Sequence, residues 1–117
     1  YAINFTKISP FNPMTPSFSS LEIAKRFQKT LQDHSVPYQA MYLFGSAARG
    51  EMDAGSDIDI AVVIPPYKKN AAEESVHIFS LACTIDPRIE TICFRPEDMK
   101  NQYSSFVQEL KTRGVLL

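Results

Sequence analysis

Two apolar runs joined by a short connection constrain this chain more than any other feature. The first, Tyr38-Gln39-Ala40-Met41-Tyr42-Leu43-Phe44, follows Pro37 and stops at Gly45. The second, Asp57-Ile58-Asp59-Ile60-Ala61-Val62-Val63-Ile64, stops at Pro65-Pro66. Both read as largely buried strands, because aromatic, β-branched and other apolar side chains dominate and the bounding residues are turn formers. Ten residues separate Ser46 from Asp57. The whole connection, residues 45–56, is twelve residues, at the lower limit of a crossover between parallel strands, which usually contains a helix, so an antiparallel neighbour is the simplest arrangement. The Gly45-Ser46 turn then lies beside the start of the second strand.

That placement has chemical content. Gly45 tolerates backbone angles that a side chain forbids, and Ser46 caps a short helical turn through Ala47, Ala48 and Arg49 that ends at Gly50. Outward-facing amides at such a turn, with the Ser46 hydroxyl beside them, suit the oxygens of a polyphosphate. Along the second strand side chains alternate, so Asp57 and Asp59 share one face and Ile58 and Ile60 the other. Two neighbouring anions repel unless a cation sits between them. Oxygen-only ligands favour Mg²⁺ or Mn²⁺ over zinc, and Mg²⁺ completes its shell with water and substrate phosphates. The alternative reading is a solvated strand edge carrying two aspartates next to an ordinary turn.

Downstream, Asn70 to Thr84 carries Ala72, Val76, Phe79 and Cys83 at helical spacing, with Glu73, Glu74, His77 and Ser80 turned outward. This predicts an amphipathic crossover helix. Arg88-Ile89-Glu90-Thr91-Ile92-Cys93-Phe94 follows as a third strand, parallel to the Asp57 strand by the handedness of strand-helix-strand units. Glu90 is thereby expected at the same sheet end as Asp57 and Asp59. A third carboxylate there completes a cation site and offers a proton acceptor.

The rest of the chain frames this centre. Residues 1–17, with Ser9-Pro10, Asn12-Pro13 and Thr15-Pro16, read as an extended arm, and residues 18–117 as one domain. Ser19 with Glu22 makes a capping box opening a helix to about Gln32, with Ile23, Phe27 and Leu31 on its apolar face. Pro96 starts a helical turn; Phe106, Val107 and Leu110 belong to a last helix closed by Gly114, and Val115-Leu116-Leu117 to a short final strand or the start of something further. Cys83 and Cys93 form neither a zinc pattern nor a redox pair and read as buried small residues. His34 and His77 have no evident partner, and Lys68-Lys69 reads as a solvated turn. A chain of 117 residues with a net charge of −1 has no basic excess for holding long nucleic acid. It also lacks any apolar stretch of membrane-spanning length and any signal-peptide pattern, which points to a cytoplasmic setting.

Gly45-Ser46-Ala47-Ala48-Arg49-Gly50 through Ser56-Asp57-Ile58-Asp59-Ile60 resembles the signature of the nucleotidyltransferase superfamily that includes DNA polymerase beta, most closely its minimal bacterial branch. The similarity runs on through Asp86-Pro87-Arg88-Ile89-Glu90. The resemblance implies an α/β (α+β) fold: a palm-like mixed β-sheet with helices packed mainly on one face. It also implies transfer of a nucleoside monophosphate, expected to be AMP, from a nucleoside triphosphate to a hydroxyl of a protein or small molecule, with release of pyrophosphate. Asp57, Asp59 and Glu90 are then the catalytic and metal-binding residues, holding two Mg²⁺ or Mn²⁺ ions. Gly45, Ser46, Arg49 and Ser56 are the nucleotide contacts, although Arg49 has Glu51 and Asp53 as alternative ion-pair partners. Many members carry aspartate where this chain has Glu90. One subclass acts as antitoxin beside a small helical HEPN partner, and short length favours that subclass over the aminoglycoside-modifying one. The acceptor pocket is expected from such a partner or from a second copy of the chain. The competing reading is a non-catalytic antitoxin-like or nucleotide-sensing module.

Overall fold

The structure, a computed structural model, describes residues 19–49 and 57–117; the side chain of Arg49 lies outside the description. Residues 1–18, with the expected proline-rich arm, and residues 50–56, Ser56 included, lie outside the described residues.

Helix α1 (Ser20–Asp33) starts where the capping box predicts: the Ser19 hydroxyl accepts from the Glu22 amide, and the Glu22 carboxylate accepts from the Ser19 amide at 2.8 Å. Satisfying two orphan amides reciprocally fixes the first turn. Its apolar stripe, Ile23, Ala24, Phe27 and Leu31, is buried. Strand β1 (Ala40–Phe44) leads into a one-turn helix α2 (Gly45–Arg49), then strand β2 (Ile58–Val63), helix α3 (Ala71–Ile85) and strand β3 (Ile89–Phe94). A 3₁₀ turn (Pro96–Lys100), helix α4 (Ser105–Arg113) and a two-residue strand β4 (Val115–Leu116) complete the order.

The four strands form one mixed sheet in the order β3-β2-β1-β4. β1 and β2 are antiparallel, as expected from their short connection, and β2 and β3 are parallel across the α3 crossover. The register sets Phe44 opposite Asp59, and Asp59 opposite Glu90. One sheet face carries Met41, Leu43, Ile58, Ile60, Val62 and Ile89 into a core shared with Ile23, Phe27 and Leu31 of α1 and Ile78, Leu81 and Ala82 of α3. The opposite face carries Tyr42, Phe44, Asp59, Ala61, Val63, Glu90, Ile92 and Phe94. Helix α4 lies over part of it: the Phe106 ring meets Phe44 edge-on at 5.4 Å between centroids and Phe94 at 5.7 Å. Helices α1 and α3 thus pack on one face and α4 on part of the other.

The crossover helix is rotated from its expected orientation. Glu74, Ile78, Leu81 and Ala82 are its buried residues, while Val76 and Phe79 are 67% and 51% exposed. Ala72 and Cys83 are exposed as well. α3 is apolar on two sides, so periodicity offers two stripes; the one chosen by the fold includes a glutamate. The Glu74 carboxylate accepts from the amides of Tyr67 and Lys68 and from the Arg95 guanidinium at 2.6 Å. Those bonds hold its pKa below the usual range, the backbone amides contributing most. Buried charge is tolerated where it is paired and fully hydrogen-bonded. His77, on the same side, lies 2.9 Å from the Tyr67 hydroxyl through Nδ1, so it has a partner after all. His34 likewise has one, its Nδ1 lying 2.9 Å from the Thr30 carbonyl oxygen.

Candidate functional site

The sheet register brings the three predicted carboxylates to one rim. Asp57 precedes β2 and is exposed, Asp59 is half-buried on the α4 face, and Glu90 is exposed beside it on β3. The backbone ties them together at this point: the amide of Ile58, between the two aspartates, donates to the Arg88 carbonyl at 2.9 Å. Arg88 is in turn clamped by Asp86 through two guanidinium bonds of 3.1 and 3.0 Å and one backbone bond. A forked guanidinium–carboxylate pair fixes geometry as well as charge. The Asp86-Pro87-Arg88 turn therefore sets where β3 begins, and so where Glu90 stands.

The electrostatics confirm that the three groups feel one another. The Glu90 carboxyl is pushed above its ordinary range, first by the charge of Asp57, then by lost hydration, by hydrogen bonding to Asp57 and by the charge of Asp59. Asp59 is pushed up by burial first and by the Asp57 charge second. Like charges crowded at a rim disfavour full ionisation, and a divalent cation reverses that preference. Among the described residues no three His, Cys, Asp or Glu side chains are drawn together tightly enough to form a ready-made metal cage. The donor chemistry nonetheless fits a hard cation: carboxylate oxygens only, with room at the rim for water and substrate oxygens.

Gly45 joins the turn to this rim. Its φ of +69° lies in the left-handed region, and a Cβ built there would run into the Asp59 carboxylate oxygen. Only glycine both adopts that angle freely and lets the β1–α2 turn pass so close to Asp59. Ser46 is half-buried at the first turn of α2. Arg49 ends α2, and Ser56 falls in the segment outside the described residues.

One feature of the site was missed by sequence reasoning. A cavity of about 360 Å³ opens between the end of β1 and α4, with Phe44 and Gly45 on one side and Ser105, Phe106, Glu109 and Arg113 on the other. The signal available was the last helix itself, with Phe106, Val107 and Leu110 at helical spacing; the sheet face it would cover could not be read from that spacing.

Comparison with known proteins gives a consistent picture. Residues 22–111 match the family model described as a nucleotidyltransferase domain. The chain is 30% identical over 86 residues to the protein adenylyltransferase MntA of Shewanella oneidensis, covering 74% of this chain and 58% of that one. The present chain thus spans little more than half of that relative's length. Among solved structures, a toxin–antitoxin complex crystallised with AMP-PNP aligns at a TM-score of 0.57 and 27% identity, over 79% of this chain and 69% of that one. A Sulfolobus solfataricus protein assigned as a nucleotidyltransferase shares the fold at a TM-score of 0.52 and 21% identity, over 88% and 89% of the two chains.

Proposed function

The chain belongs to the nucleotidyltransferase domain family, and on that premise we propose that it transfers a nucleoside monophosphate, adenylate the expected group, from a nucleoside triphosphate to a hydroxyl group, releasing pyrophosphate. The observation that carries this reading is the position of Asp59, with Gly45 packed against its carboxylate on one side and Glu90 in register on the other.

Asp57, Asp59 and Glu90 would hold two Mg²⁺ or Mn²⁺ ions. When bound, the ions neutralise triphosphate charge and lower the pKa of the acceptor hydroxyl. The remaining work falls to the chain. The turn at Gly45 and Ser46 holds the triphosphate, the Ser46 hydroxyl donating to a phosphate oxygen, and Arg49 and Ser56 are further contacts from the same loop. Held in line, the acceptor oxygen forms its bond to the α-phosphorus as the bond to the bridging oxygen breaks and pyrophosphate departs. Glu90, in register with Asp59 at the rim, receives the acceptor's proton.

A protein acceptor is supported by the relative named as a protein adenylyltransferase and by the toxin–antitoxin neighbour. The carboxylate rim is exposed at one sheet end, so a partner surface, of the helical HEPN type or another acceptor, would complete the pocket. No helix among the described residues is long and apolar enough to cross a membrane. Incubating the chain with each labelled triphosphate, Mg²⁺ and a lysate of the source cell tests the reading. Label appearing on one acceptor with matching pyrophosphate supports it. Triphosphate binding without pyrophosphate release would instead favour a nucleotide sensor.

A further inference from the structure

The cavity between Phe44 and α4 has no role in the chemistry above, yet it shares a wall with the site. Gly45 contributes both to the cavity lining and to the close approach on Asp59. A nucleoside tethered to a phosphate held at that turn can reach the opening. Its volume of about 360 Å³ falls in the range of small-molecule pockets. Two phenyl rings, Phe44 and Phe106, supply flat apolar surface, and Phe106 remains 42% exposed. Glu109 and Arg113 stand one helical turn apart on α4, both exposed and both lining the cavity. Helical neighbours of opposite charge at this spacing commonly pair. Among the described residues the two form no ion pair with each other or with any other side chain, leaving one acceptor and one donor beside the rings.

We propose that this cavity is the nucleobase subsite, and that Glu109 and Arg113 read the edge of a base carrying an exocyclic amino group beside a ring-nitrogen acceptor, the pattern of adenine. The inference rests on the nucleotidyl-transfer reading and deepens it by naming the determinant of base choice. An ionised carboxylate is acceptor only, and a guanidinium is donor only. Glu109 takes the amino N–H and Arg113 donates to the ring nitrogen, while one ring stacks on the base face and the other, nearly perpendicular to it, meets the base edge-on. Hypoxanthine, of the same size and shape, presents a carbonyl oxygen to the carboxylate and a ring N–H to the guanidinium, reversing both contacts. A protein or small-molecule acceptor in the cavity is the competing occupant, and its signature is indifference to the base.

The test is calorimetric titration of the full chain, with Mg²⁺, using α,β-methylene analogues of ATP and ITP, which cannot release pyrophosphate, and inorganic tripolyphosphate. Wild type is expected to bind the ATP analogue at least about tenfold more tightly than the ITP analogue, one charged hydrogen bond being worth that much. Glu109→Gln should bring the two within about threefold by restoring a donor toward the hypoxanthine carbonyl, and Arg113→Gln should weaken the ATP analogue alone. Tripolyphosphate affinity should be unchanged in both variants, which also reports that the fold is intact. Equal binding of the two analogues by wild type, or a preference that survives Glu109→Gln, overturns the subsite while leaving the transfer reading standing. Failure of wild type to bind any of the three ligands overturns both.

Discussion

Two groups of carboxylates in this molecule receive opposite treatment. Glu74 is 1% exposed and surrounded by donors: two backbone amides and the Arg95 guanidinium hold it ionised. Asp59 and Glu90 sit at an open rim, surrounded by other carboxylates, and both are pushed toward protonation. The first arrangement is complete without help from outside. The second is unfavourable as it stands and becomes favourable when positive charge arrives. The fold neutralises the one anion from within and leaves the other two short of partners.

The largest effect expected from this contrast is functional. Asp59→Asn should lower nucleotidyl transfer about a thousandfold or more, since several kcal/mol of charge stabilisation depend on the cation site. The same substitution removes like-charge repulsion, so the metal-free protein should melt no lower than wild type, and the stabilisation by Mg²⁺ seen in a thermal melt should disappear. A variant that loses stability without Mg²⁺ and keeps its Mg²⁺ response would break the comparison. Glu74→Ala is the mirror experiment. It strands Arg95 and two amides, and should lower the melting temperature by roughly ten degrees while leaving the Mg²⁺-induced shift unchanged.

Gly45→Ala should cost about 1–2 kcal/mol from its left-handed backbone and also displace the Asp59 carboxylate, read as weaker binding of tripolyphosphate with Mg²⁺. Acidity sharpens the contrast further. The raised Asp59 and Glu90 groups bind more protons in the folded chain than in the unfolded one, so their penalty is absent below the ordinary carboxylate pKa and grows as pH rises through the folded values. Glu74 and Asp86, held low, contribute stability above the ordinary pKa that is lost as pH falls through their folded values. The melting advantage of Glu90→Gln over wild type, without metal, should therefore be greatest at neutral pH and vanish in acid. The smallest effect belongs to a third kind of carboxylate: Asp33, paired with Lys29 on the open surface of α1, where Asp33→Asn should change stability by less than about 0.5 kcal/mol.

Much of the site was legible because local chemistry decides it. A short connection favours an antiparallel pair, a crossover helix dictates a parallel one, and period-two alternation then sends Asp59 and Glu90 to one face. The Ser19–Glu22 capping box was equally readable, since both partners lie within one turn. What could not be read is whatever depends on distant partners. Helical spacing alone points to Ala72, Val76, Phe79 and Cys83 as the buried stripe of α3, because nothing near Glu74 announces that Arg95 and the amides after Pro66 will converge on it. Cys83 was expected inside for the same reason, and is exposed. Cys93 is half-buried, its thiol pushed up chiefly by that burial. The placement of α4 over Phe44, and hence the cavity, depends on Phe106 finding Phe44 and Phe94, two rings from separate strands.

The pairing of Asp59 with Glu90 across parallel strands has a consequence for how activity appears during folding. Slipping β3 by one residue would present Ile89 or Thr91 to Asp59 instead. Until β3 pairs with β2 in this register, Asp59 and Glu90 do not stand side by side.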